Sequence, residues 1–253
     1  MVKILFHHIP KTGGTSLNSY LSSLFPPEEV WTTEFIENER RFIKETVGQN
    51  GIKYSDYRWD YYCEKFSFMA DHFNMIMAVP QDVIVLTFLR DPIARTVSQY
   101  KDWGRLTLAD IENNPPQVKE AKAAAMNLDI HELINMDNPV IKKNFHNLQC
   151  KSLLLDANPE HKVNVYSDEE LLHHAKTVMN RVNFVGITEY MLESVNRFLS
   201  KVGFEVIQSL NHLNATSQSI SLSKTDISEI SRFNQADIEL YNEYLDKFKQ
   251  NLN

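Results

Sequence analysis

Glycine is scarce in this chain, with only 7 in 253 residues. Collagen-like and glycine-rich linker sequences are thereby excluded, and the place of each glycine becomes informative. Cysteine is scarcer still. Cys63 and Cys150 are too few for a disulfide framework and lack the CxxC spacing of zinc or thiol-redox sites, so both are expected as buried, reduced thiols. No apolar run approaches the length of a transmembrane helix. Ile4-Leu5-Phe6 behind Lys3 is too short for a signal-peptide core, so a soluble, cytoplasmic protein is expected. Basic charge is not in excess either: 26 basic against 33 acidic side chains give a net charge of -7. Proteins that hold nucleic acid or anionic membranes are normally basic, so neither partner is expected.

What is present is an ordinary globular composition, 43% hydrophobic and 23% charged, long enough to bury a sizeable core. No internal repeat or Pro/Gly/Ser linker divides it, and residues 1–253 are expected to form a single domain. An apolar run over 2–8 leads into Pro10-Lys11-Thr12-Gly13-Gly14-Thr15-Ser16, after which Leu17, Tyr20, Leu21 and Leu24 recur at helical spacing until Pro26-Pro27. The pattern is strand, tight loop, helix. Further helices are expected over 34–47, through most of 108–151, over 168–180 and 190–202, and at the chain end, where Ile238, Tyr241, Leu245 and Phe248 form a stripe. The aromatic stretch 54–62 has no clean period and reads as a loop packed on the body; Trp59 within it reads as packing or as an acceptor-pocket wall. Phe66, Phe68 and Ala70 predict a short strand ending at Asp71-His72, and 184–187 another. Residues 83–89 are nearly all apolar, as in a strand buried on both faces of a parallel sheet. Strands alternating with helices imply an α/β fold with a mainly parallel sheet.

The loop between the first strand and its helix suits an anion. Amides at a helix N-terminus and the helix dipole favour negative charge. Gly13 and Gly14 let backbone approach a ligand without a β-carbon; Thr15 and Ser16 add hydroxyls and Lys11 a mobile cation. The plainer reading is a strand-to-helix turn with Thr15 as N-cap. It is not a Walker A loop, because Lys11 precedes the glycines. A second segment, Arg90-Asp91-Pro92 through Ser98 to Tyr100, begins where strand 83–89 ends, with Pro92 suited to a first helical turn. Ligands on open α/β sheets bind at the carboxyl ends of strands, so Arg90 should share a rim with Lys11. Ser98, about two turns into the helix, could face the same phosphate as Arg90. Arg95 and Asp91 are spaced as a helix-surface ion pair.

Together the two segments resemble the PAPS-dependent sulfotransferases, which use 3'-phosphoadenosine 5'-phosphosulfate, and most closely the branch containing the heparan and chondroitin sulfate O-sulfotransferases. Val185-Gly186-Ile187-Thr188-Glu189 and Asp237-Ile238-Glu239-Leu240-Tyr241 extend the resemblance across most of the chain. It implies a P-loop NTPase-like three-layer fold with the parallel sheet flanked by helices. It implies further that Lys11, Thr12, Gly13, Gly14, Thr15 and Ser16 form the 5'-phosphosulfate loop and that Arg90 and Ser98 hold the 3'-phosphate. The 211–223 stretch stands where relatives close over the nucleotide, but departs from their basic form; Asn214 and Thr216 are its candidate ligands.

The implied reaction moves a sulfuryl group in line from PAPS to an acceptor hydroxyl, leaving PAP and requiring no metal. Lys11 would stabilise the leaving phosphate. His72 matches the position of the catalytic His in the glycosaminoglycan branch, and histidine is suited to proton abstraction near neutral pH. Its plainer role is a capping or core histidine bonded to Asp71 or to backbone. His7 and His8, on the first strand, offer one packed ring and one near the loop; His173 and His174 read as a solvated helix face. Without a basic excess or membrane anchor, a small-molecule or natural-product alcohol is expected as acceptor ahead of a glycosaminoglycan, with a neutral sugar second. A P-loop-like nucleotide-dependent kinase and a nonenzymatic PAP-binding module are the alternatives. Oligomeric state has no signature in the sequence.

Overall fold

The strands form where apolar side chains alternate between two helical layers. β1 (Ile4–His7) sends Ile4 and Phe6 to one side and Leu5 to the other, the period of two that extended chain imposes. β3 (Ile84–Leu89) repeats the pattern with Leu86 and Phe88 on one face and Val85 and Leu89 on the other. With β2 (Phe68–Asp71) and β4 (Phe184–Ile187) they build a four-stranded sheet in the order β2-β1-β3-β4. Every pair is parallel, and His7 stands opposite both Asp71 and Thr87. These elements belong to a computed structural model that describes residues 2–47, 58–72, 76–77, 79–154, 166–210 and 220–250.

One face of the sheet is covered by α1 (Gly14–Ser22) and α11 (Met191–Val202) through Leu17, Leu21, Phe198 and Leu199. The other is covered by α9 (Leu148–Leu154), α10 (Asp168–Met179) and α13 (Gln235–Gln250), whose Leu153, Ala175 and Leu240 pack under Leu5 and Val85. A satellite core forms around Trp103, Phe145 and Ile230, joining α4 (Pro92–Gly104), α8 (Pro139–Phe145) and α12 (Lys224–Phe233). The expected α/β class with a parallel sheet between helical layers is therefore observed. Cys63 and Cys150 are free and buried, as expected.

Two local expectations are corrected. Of the stretch expected as a loop at 54–62, residues 54–57 lie outside the described residues, but Trp59–Lys65 forms a helix, α3. Burial of Trp59, Tyr62 and Cys63 against Trp31 and Phe66 fixes that short helix, so tertiary packing overrides an unclear period. Arg95 does not pair with Asp91 on the surface. Asp91 caps α4 by accepting from the Ala94 amide at 2.8 Å, while Arg95 is fully buried and donates to the carbonyls of Asn144 and Phe145. In the closing stripe, Tyr241 and Phe248 are buried and Ile238 and Leu245 half-buried.

Candidate active site

All four strands end on one rim, and the chain leaving each contributes to a cleft of about 350 Å³. The turn after β1 lines it with Lys11, Gly13, Gly14, Thr15 and Ser16; His72 follows β2, Arg90 follows β3 with Ser98 behind it on α4, and Thr188 follows β4. The sequence thus named residues that converge although they are far apart in the chain. Thr12 is not among the lining residues: it is fully buried and its hydroxyl donates to the Ile9 carbonyl at 2.9 Å, closing the turn. Asn214 and Thr216 lie outside the described residues.

The start of α1 has a geometry that suits an anion. Gly13 is its N-cap in the left-handed region at φ 81°, which only glycine enters without strain, and no side chain caps the helix. Thr15 is therefore not the cap but a first-turn residue. By contrast, α4 and α10 are capped by Asp91 and Ser167. A helix start without a side-chain cap can present backbone amides to an acceptor from outside the chain. Gly14 answers a second demand, because a β-carbon there would overlap the His8 ring packed on it. Lys11 also lies in the left-handed region, at φ 70°, where a non-glycine residue costs about 1–2 kcal/mol.

The loop is held from behind by the other strand ends. Arg90 donates from Nη1 to the Lys11 carbonyl at 3.0 Å. Burial lowers the pKa of that guanidinium, opposed by the nearby charges of Glu189 and Asp91, so an arriving anion relieves a desolvation cost. The Thr188 hydroxyl lies 2.9 Å from the Thr12 carbonyl and 3.0 Å from the Leu89 carbonyl, where its one proton bridges the turn after β1 and the end of β3. Glu189 accepts from the Asp91 amide and from the Tyr241 hydroxyl, both at 3.0 Å. The sequence motif at 185–189 carried no sign of this bracing role, which needs the loop's free carbonyls in view. Thr188→Val, nearly isosteric, is expected to cost about 1–3 kcal/mol by leaving those carbonyls without their donor. Chemical denaturation would measure it, and unchanged stability would show that the bridge is redundant.

On the opposite side, the His72 and His8 rings lie 4.2 Å apart between centroids. His72 Nδ1 is 2.8 Å from the His8 carbonyl oxygen. Because a carbonyl only accepts, Nδ1 carries the proton and Nε2 is the basic nitrogen of the neutral ring. The backbone bond expected of a merely structural histidine is thus present, and it also selects a tautomer. Burial first, then the neighbouring His72, His7 and Lys11, pushes His8 down to about 3, so His8 is neutral and unsuited to proton shuttling near pH 7. His7 is buried and His173 and His174 are exposed, as expected. Lys11 Nζ pairs with Asp102 Oδ1 at 2.9 Å, a partner that sequence reading missed because α4 brings it over the loop from afar. Met191 and Leu210 add an apolar wall to the cleft, also unforeseen.

Among the described residues, no group of three or more His, Cys, Asp or Glu could hold a metal ion, and no helix is long and apolar enough to cross a membrane. Another hollow, about 420 Å³ beside the start of β2, is edged by Glu28, Glu34 and Lys65 and shares no lining residue with the cleft.

Residues 2–244 match a family profile described as "Sulfotransferase family". The crystal structure of a sulfotransferase from Alicyclobacillus acidocaldarius superposes with a TM-score of 0.50, at 16% identity, over 96% of this chain and 95% of that chain. That likeness concerns the fold, the P-loop-like arrangement of a parallel sheet between helical layers. No curated protein matches the sequence.

Proposed function

The chain belongs to the sulfotransferase family, a group of enzymes, and from that premise we propose that it moves a sulfuryl group from PAPS to the hydroxyl of a small-molecule alcohol or a neutral sugar. The observation that carries this reading is the joining of two anion-favouring elements on one rim. The uncapped start of α1 and the half-buried Arg90 are tied together by the bond from Arg90 to the Lys11 carbonyl.

In this reading the amides from Gly13 to Ser16 hold the 5'-phosphate, as helix N-termini do. Arg90 and Ser98 hold the 3'-phosphate, the group that separates this donor from ATP. When bound, the donor supplies the sulfuryl group, whose bond to the 5'-phosphate oxygen is exchanged for one to the acceptor oxygen. Lys11 offsets the negative charge on that phosphate. His72 Nε2 takes the acceptor's proton, with Nδ1 held on the His8 carbonyl so that the ring keeps its tautomer and orientation. The net charge of -7 supports an acceptor without the dense sulfate and carboxylate of glycosaminoglycans. The chain is read as one catalytic domain.

Thermal unfolding with PAP tests the donor assignment. At one hundred times its dissociation constant a ligand stabilises the folded state by about 2.7 kcal/mol, so the midpoint is expected to rise by about 5–10 °C for a chain of this size. Adenosine 5'-phosphate at the same concentration should shift it less. No shift with PAP would overturn the donor assignment.

A further inference from the structure

Arg90 is held at its backbone by a side chain that never reaches the cleft. Beyond the last residue of β3, the Arg90 amide donates to Gln149 Oε1 at 2.9 Å, and the Arg90 carbonyl accepts from Gln149 Nε2, also at 2.9 Å. A primary amide presents one acceptor and one donor side by side, so Gln149 does for Arg90 what a neighbouring strand does for a residue inside a sheet. Gln149 is buried and stands in the first turn of α9.

That turn is itself pinned. Asp237 Oδ2 accepts from the Gln149 amide at 2.9 Å and Oδ1 from the Cys150 amide at 2.8 Å. The Asp237 amide donates to Asn147 Oδ1 at 3.1 Å, and the Asn147 amide to Asn234 Oδ1 at 3.0 Å. Asn147 adopts φ 44°, a left-handed conformation that asparagine tolerates better than most residues. Asp237, Asn147 and Asn234 are fully buried. A carboxylate in such a place is costly unless its oxygens are satisfied, and the α9 amides satisfy both.

We infer that Gln149, braced by Asp237, is a positioning residue that aims Arg90 at the 3'-phosphate and thereby sets the enzyme's discrimination between donor nucleotides with and without that group. The inference rests on the reading of Arg90 given above. It gives Asp237, which the sequence marked only by resemblance, a role reaching the cleft through two successive hydrogen-bonded steps. An arginine displaced by an ångström loses its fit to a phosphate while the rest of the nucleotide still finds the α1 loop, so the effect falls on one group of the ligand.

The test is calorimetric titration of PAP and of adenosine 5'-phosphate into wild type, Gln149→Met and Asp237→Asn. Gln149→Met keeps the core volume and removes both bonds to Arg90. It is expected to lose about tenfold in affinity for PAP and less than about twofold for adenosine 5'-phosphate. Asp237→Asn should shift the ratio in the same direction by about threefold, and it decides the matter should Gln149→Met fail to fold. A merely structural role would weaken both ligands alike and leave their ratio unchanged, and that result in either folded variant overturns the inference. Arg90→Ala separates the two failures. If wild type does not prefer PAP, the donor reading itself falls. If wild type prefers PAP and Arg90→Ala loses the preference while Gln149→Met keeps it, only the role of Gln149 falls.

Discussion

His72→Ala is expected to lower turnover with PAPS and an acceptor alcohol by about a hundred- to ten-thousand-fold, the range for removing a general base, while PAP affinity stays within about twofold because the proposed phosphate contacts come from other strand ends. The backbone sets the position of the ring. β2 pairs in register with β1, so the residue after Asp71 emerges beside the residue after His7. That places His72 Nδ1 on the His8 carbonyl at 2.8 Å and leaves Nε2 as the basic nitrogen. His8, whose ring packs on His72, is pushed down to about 3 chiefly by burial. It is therefore uncharged near neutral pH and puts no positive charge against the imidazolium that His72 becomes on taking a proton. Single-turnover kinetics with saturating PAPS would report the chemical step directly. An alanine variant that keeps the wild-type rate would remove His72 from the mechanism, leaving it the structural role that its backbone bond also permits.

The parts of this site that were legible in the sequence are those written in local chemistry. Gly13 and Gly14 stand out because glycine is rare, and their turn needs no distant partner to declare itself. Arg90 followed a run too apolar to be anything but a buried strand, and an open parallel sheet puts strand ends on a single rim. The strands themselves announced their two-sided burial in Val85, Leu86, Phe88 and Leu89. What escaped reading depends on contacts between distant segments. Gln149 reaches Arg90 across 59 positions and Asp237 reaches Gln149 across 88, and neither pairing has a local period or spacing. Arg95 shows the opposite error: its spacing from Asp91 suits a surface pair, yet Asp91 is used as a helix cap and the buried guanidinium donates to the carbonyls of Asn144 and Phe145. The α3 helix was hidden because its aromatic residues are chosen for the pocket around Trp31 rather than for one helical stripe.

Lys11→Ala is expected to reduce the catalytic rate constant by about a hundred- to a thousand-fold, the scale of removing one charge-stabilising group from a transition state, with a smaller change in the KM for PAPS. Lys11 is held by Asp102 at 2.9 Å, and the carboxylate side chain is 53% exposed. An ion pair in such a setting is worth about 0–1 kcal/mol, so leaving Asp102 for a phosphate costs little. Asp102→Asn should therefore stay within about threefold of the wild-type rate, which separates the work of the ammonium from that of its resting partner. In the proposed mechanism the ground-state contacts to the phosphate come from the α1 amides and survive the loss of Lys11, whereas charge on the leaving oxygen grows only as the bond to sulfur breaks. A group that answers that growth acts on the rate rather than on binding. If Lys11→Ala instead raised KM with the rate constant unchanged, Lys11 would be a binding residue only, and the stabilisation of the leaving phosphate would have to come from the helix amides.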